Sequence, residues 1–172
     1  MGQVVKTFIL LAFLAGVITG CEQAARQVPA NPSPSPVYSV GADQFPYQPF
    51  AKVVAYALKG DPEPVMEGTN LTGNVHQDLK VLLSKQQTVA LLATLNDSSS
   101  YMGIHSRCFT PGIGYVFYDP RDHPVAHLTV CLACGNLRAE PELESEREAL
   151  STSGELKLLQ LGRELFPGRP AQ

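Results

Sequence analysis

Basic charge is scarce and scattered in this chain. Thirteen lysines and arginines stand against sixteen acidic residues, for a net charge of −3, and the cations form no cluster. That argues against nucleic acid as the main partner, because phosphate binding needs a concentrated basic surface. His-Glu-x-x-His, Gly-x-Ser-x-Gly, a Walker loop and a dinucleotide glycine fingerprint are all missing. No residue is therefore assigned as catalytic from a motif. Cysteine is sparse, at four in 172 residues, which excludes a disulfide-dense scaffold. No apolar run reaches the roughly 20 residues that a spanning helix takes. No internal repeat occurs. What remains is 44% hydrophobic and 17% charged, a composition that permits a globular core. At roughly 100–200 residues per domain, the length predicts a single domain plus flanking segments.

The amino terminus reads as an address. Lys6 precedes an apolar run from Phe8 to Ile18, and small residues follow at Thr19 and Gly20 before Cys21. One cation followed by a dozen or so apolar residues is the anatomy of a secretory signal, here residues 1–20. Ile18-Thr19-Gly20-Cys21 resembles a bacterial lipobox. The resemblance implies cleavage before Cys21 and attachment of lipid to its sulfur. Several acyl chains on one residue anchor stably, at about 0.8 kcal/mol per buried methylene. It also implies a cell-envelope location. With Glu22 rather than Asp after the cysteine, an outer membrane is favoured where the organism has one.

Residues 21–49 carry Pro29, Pro32, Pro34, Pro36, Pro46 and Pro49 with polar residues between them, and no apolar periodicity. They read as a lipidated, proline-rich tether, semi-rigid at about 3.1 Å per residue where extended. Phe45, Tyr47 and Phe50 are the places where such a tether would pack on the domain.

Residues 50–168 are expected to form one α+β domain, a small antiparallel sheet with a central hairpin packed by two or three helices. Phe50 to Leu58 reads as a short helix stopped by Gly60 and Pro62. Val75, Leu79, Val81 and Leu83 suggest one or two strands around Thr72-Gly73-Asn74. Ser84 and Gln87 make a capping box ahead of a Val89, Leu92, Leu95 stripe, ending before Asn96-Asp97. Thr152 and Glu155 make a second box ahead of Leu158, Leu161 and Leu165. The charged stretch from Glu140 to Leu150 reads as surface helix or loop. The strongest β signal is the pair 112–118 and 124–131, separated by Asp119-Pro120-Arg121-Asp122-His123.

If Tyr118 faces Pro124, the register of that hairpin brings Cys108, Cys131 and Cys134 together at its open end, with His105 a short step away. Three chemistries compete for them. A structural disulfide, Cys108–Cys134 first, suits an exported chain and leaves Cys131 buried or an alternative partner. A zinc site would use Cys108, Cys131, Cys134 and His105, through two pairs with two-residue spacing. Thiol redox chemistry would use Cys131-x-x-Cys134, although that pair ends a strand and leads into Gly135-Asn136, without a helix amino terminus behind it. His127 shares a strand face with Val125, Thr129 and Cys131 and reads as a hydrogen-bonded sheet histidine.

Cys108-Phe109-Thr110-Pro111, the run Gly114 to Asp119, and Val130-Cys131-Leu132-Ala133-Cys134 together resemble a group of uncharacterised bacterial envelope proteins. That group shows Cys-aromatic-x-Pro, a hydrophobic hairpin, then Cys-x-x-Cys. The likeness covers about residues 80 to 165, and Gly112 stands where the group commonly has an arginine. It implies the domain and no reaction. The expectation is a membrane-anchored envelope lipoprotein, with a non-catalytic domain that binds an envelope protein or small ligand, or plays a structural part. A thiol redox protein and a zinc-stabilised module are the alternatives.

Overall fold

The computed structural model of the chain describes residues 37–143 and 149–169. Cys21 and the signal segment lie outside the described residues. Five strands form one antiparallel sheet: β1 (Lys52–Leu58), β4 (Val75–Leu82), β6 (Ile113–Tyr118), β7 (Pro124–Cys131) and β8 (Asn136–Glu140). Their order is β4-β1-β6-β7-β8. Two short pairs flank it: β2 (Met66–Glu67) with β3 (Asn70–Leu71), and β5 (Tyr101–Gly103) with β9 (Ala149–Leu150). The helices are α1 (Lys85–Leu95) and α2 (Thr152–Leu165). The α+β class stands, with two α-helices among the described residues and a sheet larger than the hairpin alone.

Lys52–Leu58 is a strand, not the expected helix. It runs between β4 and β6, so both its faces are covered: Val53 and Ala55 join the core on one side, Tyr56 and Leu58 a second cluster on the other. A strand buried on both faces loses its alternation and reads as a continuous apolar run, which periodicity alone does not separate from a buried helix. The β-branched Val53-Val54 pair and Tyr56 tip it towards strand.

Ser84 caps α1 as expected: its hydroxyl accepts from the Gln87 backbone N–H, and Gln87 Oε1 accepts from the Ser84 N–H at 2.9 Å. The buried stripe is rotated by one position, however. Thr88, Leu91, Thr94 and Leu95 face inward, while Val89 is exposed and Leu92 half-buried. α2 is capped one residue earlier than expected, by Ser151, whose hydroxyl accepts from the Gly154 N–H at 3.2 Å. Gly154 is needed there, because a Cβ would lie 2.3 Å from the Ser100 carbonyl oxygen. Leu158, Leu161 and Leu165 are its buried stripe, as the sequence suggests.

The β6–β7 hairpin starts in the expected register, Tyr118 opposite Pro124, but a bulge at Val125 shifts it. Ile113 then pairs with Val130 rather than Thr129. Proline offers no N–H to the ladder, and an irregularity beside it is where such a shift falls. The tether gives way to folded chain before residue 49. Phe45 and Phe50 are completely buried, Tyr38 stacks on Phe50, and Tyr38 and Phe50 exchange backbone hydrogen bonds of 2.7 and 3.2 Å. Three aromatics in a proline-rich stretch bury enough apolar area to hold it against the sheet. The charged stretch also ends inside: Leu143, Ala149 and Leu150 are buried. No helix among the described residues is long and apolar enough to cross a membrane.

Candidate functional site: the sulfur cluster at the hairpin's open end

β7 ends at Cys131, and a single 3-10 turn, Leu132–Cys134, carries the chain round to β8. Gly135 closes that turn in the left-handed region at φ 64°, which glycine adopts without strain. Cys131 then pairs with Asn136 across the two strands. The i, i+3 spacing and the tight turn place Cys134 beside Cys131. Cys108 arrives from the loop that precedes β6.

Cys108 and Cys134 form a disulfide, with Cα atoms 5.9 Å apart and a separation of 26 positions in sequence. Closing a loop of that length removes about 3 to 4 kcal/mol of unfolded-chain entropy. Cys131 is a free, fully buried thiol. All three sulfurs lie within 4.8 Å of one another. Cys108 is exposed and the other two are buried.

Hydroxyls and one amide surround the sulfurs. The Thr110 backbone N–H donates to Cys131 Sγ at 3.4 Å. The Thr110 hydroxyl lies 3.8 Å from Cys131 Sγ and 3.9 Å from Cys134 Sγ, between the two. The Ser106 hydroxyl is 3.0 Å from Cys108 Sγ. The loop bearing Ser106 and Cys108 is held by β8. Asn136 Nδ2 donates to the carbonyls of Ser106 and Cys108 at 2.7 and 2.9 Å, and its Oδ1 meets His105 Nδ1 at 3.2 Å. The Arg138 guanidinium lies 4.0 Å from the Phe109 ring centre, a cation–π contact.

The cluster unites three of the four residues of the expected metal set and leaves His105 out of the sulfur group. His105 is instead drawn to the Asn136 side chain, whose amide already orders the loop. Its two-residue spacing from Cys108 lies in irregular chain, where spacing does not fix where side chains point. Thr110 and Asn136 were missed as site residues. Gly135-Asn136 was visible only as a turn signal, and a threonine in a loop carries no pattern of its own.

Other concave surfaces among the described residues lie away from the sulfurs. A groove of about 560 Å³ between α1 and α2 is lined by residues including Gln86, Gln87, Asp97, Lys157 and Glu164. Asp97 also caps the 3-10 turn Ser98–Ser100. Hydrogen bonds from the Ser99 hydroxyl and from Lys157, together with the Ser99 N–H, hold its carboxyl down at about 2. A cleft of about 400 Å³ lies beside His127, Glu140 and Gln48. His127 is a sheet histidine hydrogen-bonded to Glu140 at 3.2 Å, as its alternation suggested, while His123 is exposed in the turn. Comparison of the chain with protein-family models, with curated proteins and with solved structures finds no match.

Proposed function

We propose that the chain is a lipid-anchored protein of the cell envelope, held to the membrane through Cys21. Its α+β domain serves as a non-catalytic module that binds an envelope protein or small ligand. Where the organism has an outer membrane, that membrane is the site, with the domain facing the periplasm or the cell surface. The observation that carries the reading is Ile18-Thr19-Gly20-Cys21 placed directly after an apolar run with one leading cation. The Cys108–Cys134 disulfide supports it, because such bonds persist in oxidising compartments and are rare in the cytosol. The mixed polar groove between α1 and α2 is the surface such a ligand would use. Expression in a bacterium fed radiolabelled palmitate tests the anchor. Label should enter the membrane fraction with the wild-type chain and vanish with Cys21→Ala. A chain recovered unacylated in the cytosol with its leader intact overturns the proposal.

A zinc-stabilised module is the second reading, favoured by three sulfurs within 4.8 Å of one another. Zinc takes thiolates at about 2.3 Å in a tetrahedron, so neighbouring ligand sulfurs sit within this range. The disulfide must first be reduced by two electrons from a thiol reductant. Metal analysis of protein purified under reducing conditions decides it: about one zinc per chain supports the module, and none refutes it.

A further inference from the structure

A crosslink that only staples two ends of a hairpin does not need a third sulfur against it. Cys131 nevertheless lies within 4.8 Å of both disulfide sulfurs, completely buried and reduced. External reagents do not reach it, whereas its neighbour Cys134 is in range. The polar groups around the three sulfurs are ordered along one path. The Thr110 N–H donates to Cys131, the Thr110 hydroxyl bridges Cys131 and Cys134, and the Ser106 hydroxyl sits at the solvent-facing end on Cys108. Donors placed along the path of a moving negative charge stabilise its transfer.

We propose that the cluster is an internal thiol–disulfide exchange centre that presents Cys108 as an outward nucleophile for a disulfide on another molecule. The proposal goes beyond anchoring and binding, and it stands whether or not Cys21 carries lipid. In the step, the Cys131 side chain first turns into line with the Cys108–Cys134 bond, an alignment that three sulfurs within 4.8 Å of one another do not yet give. Its thiol then loses its proton and its sulfur attacks Cys134 Sγ. The Cys131–Cys134 bond forms as the Cys108–Cys134 bond breaks. Cys108 leaves as a thiolate and takes up the proton, so no electrons enter or leave the protein. Cys134 is the sulfur attacked because the i, i+3 turn joins it to Cys131 and the Thr110 hydroxyl spans the same two sulfurs. Cys108 is the leaving sulfur because it is exposed, with the Ser106 hydroxyl beside it. An exogenous disulfide then accepts attack by Cys108, giving a mixed disulfide on Cys108 and releasing one small thiol.

The exchange also removes the covalent tie on the loop before β6. That loop follows Met102, whose φ of 95° is strained for a side chain of its size, and it carries Ile104, which is 94% exposed. Asn136 and Arg138 still hold it, through the Ser106 and Cys108 carbonyls and the Phe109 ring.

The test uses the full-length chain, folded and without reductant. It is treated with iodoacetamide, quenched in acid and digested, and each cysteine is located by mass. The expected result is alkylation of Cys108 in molecules that carry a Cys131–Cys134 crosslink. Label on Cys131, label on Cys134 with a Cys108–Cys131 crosslink, or no label before denaturant is added overturns the proposal. Thr110→Val should slow the labelling of Cys108 by about tenfold or more. An unchanged rate removes Thr110 from the path and points to exchange through unfolding. Cys131→Ala should abolish native labelling of Cys108 while its crosslink to Cys134 persists; should that variant fail to fold, the Thr110→Val rate still decides. Oxidised glutathione should leave a mixed disulfide on Cys108 of the wild type. Its absence there, when iodoacetamide does label Cys108, overturns the outward half of the proposal.

Discussion

On one face of the five-stranded sheet, Val53, Tyr115, Phe117, Leu128 and Val130 join the core that α1 and α2 complete; on the other, Val54, Tyr56 and Val116 cluster with a two-residue strand pair and its loops. Helices carry a wide apolar stripe, so area alone holds the first face. A pair of two-residue strands buries too little to hold itself and needs other fastenings. Here they are polar and steric. Asn74, completely buried, accepts from the N–H groups of Lys59 and Asp61 at 3.0 and 3.1 Å and donates to the carbonyls of Asp61 and Glu63 at 2.9 Å each. The Val65 N–H donates to Thr129 Oγ1 at 2.8 Å. Gly114 leaves room for Val65: a Cβ there would lie 2.4 Å from Val65 Cβ. A helix covers area, whereas a loop must be pegged at points.

The two faces should therefore fail differently. Phe117→Ala removes a ring that makes edge-to-face contacts with both Phe45 and Phe50, at 5.3 and 5.2 Å between centres. It should cost about 3–5 kcal/mol, with all backbone amides losing protection together in denaturant-dependent hydrogen exchange. Asn74→Ala should cost less, about 1–2 kcal/mol, by taking the partner from the Asp61 N–H and from the Asp61 and Glu63 carbonyls, while the Lys59 N–H keeps the backbone carbonyl of residue 74 at 2.9 Å. Its effect should be local: amides from Val65 to Val75 exchange faster while those of α1 and α2 keep their relative protection. Equal loss of protection across the sheet in both variants would sink the distinction. Gly114→Ala comes next, at about 1–3 kcal/mol. The methyl group meets Val65, which must back away from Thr129. Chemical denaturation measures the cost, and pairing it with Val65→Ala should recover part of it, since the smaller residue makes room.

How far this was legible follows from the same contrast. Elements held by local chemistry could be read. The Ser84 box, the α2 stripe and the β6–β7 hairpin each announce themselves within about ten residues. Elements held at a distance could not. The proline-rich stretch around Phe45 shows no periodicity, because three aromatics in irregular chain do the packing. Lys52–Leu58 reads as a helix until β4 and β6 are known to flank it. At the sulfur cluster, the approach of Cys108, Cys131 and Cys134 is contained in the hairpin register, even though the bulge at Val125 moves that register by one residue. Thr110 and Asn136 emerge only in three dimensions, since their roles depend on loop carbonyls and sulfurs far from them in sequence. His105 was misplaced for the same reason.

The smallest expected effect lies on the second face, where it meets solvent. His127 is buried on β7, and its Nε2 faces the exposed Glu140 at 3.2 Å, while Nδ1 is buried with no hydrogen-bond partner among the described residues. In the neutral ring Nε2–H donates to Glu140 and Nδ1 is a bare acceptor. Burial pushes the imidazole below its ordinary 6.5, and the nearby Glu140 carboxylate only partly offsets this. The unfolded chain therefore binds the proton more readily than the folded one. Stability from this group is complete above 6.5 and falls as the pH drops from there through the lower folded value. His127→Gln keeps an amide donor for Glu140 and should flatten that slope between pH 7 and 5. Glu140→Gln removes the opposing attraction and should lower the His127 midpoint further, read from its ring proton shifts by NMR. Were pairing to dominate instead, the wild-type midpoint would lie at or above 6.5, Glu140→Gln would still lower it, and stability would no longer fall across this window. The sign of the stability slope decides whether desolvation or the carboxylate governs this edge of the sheet.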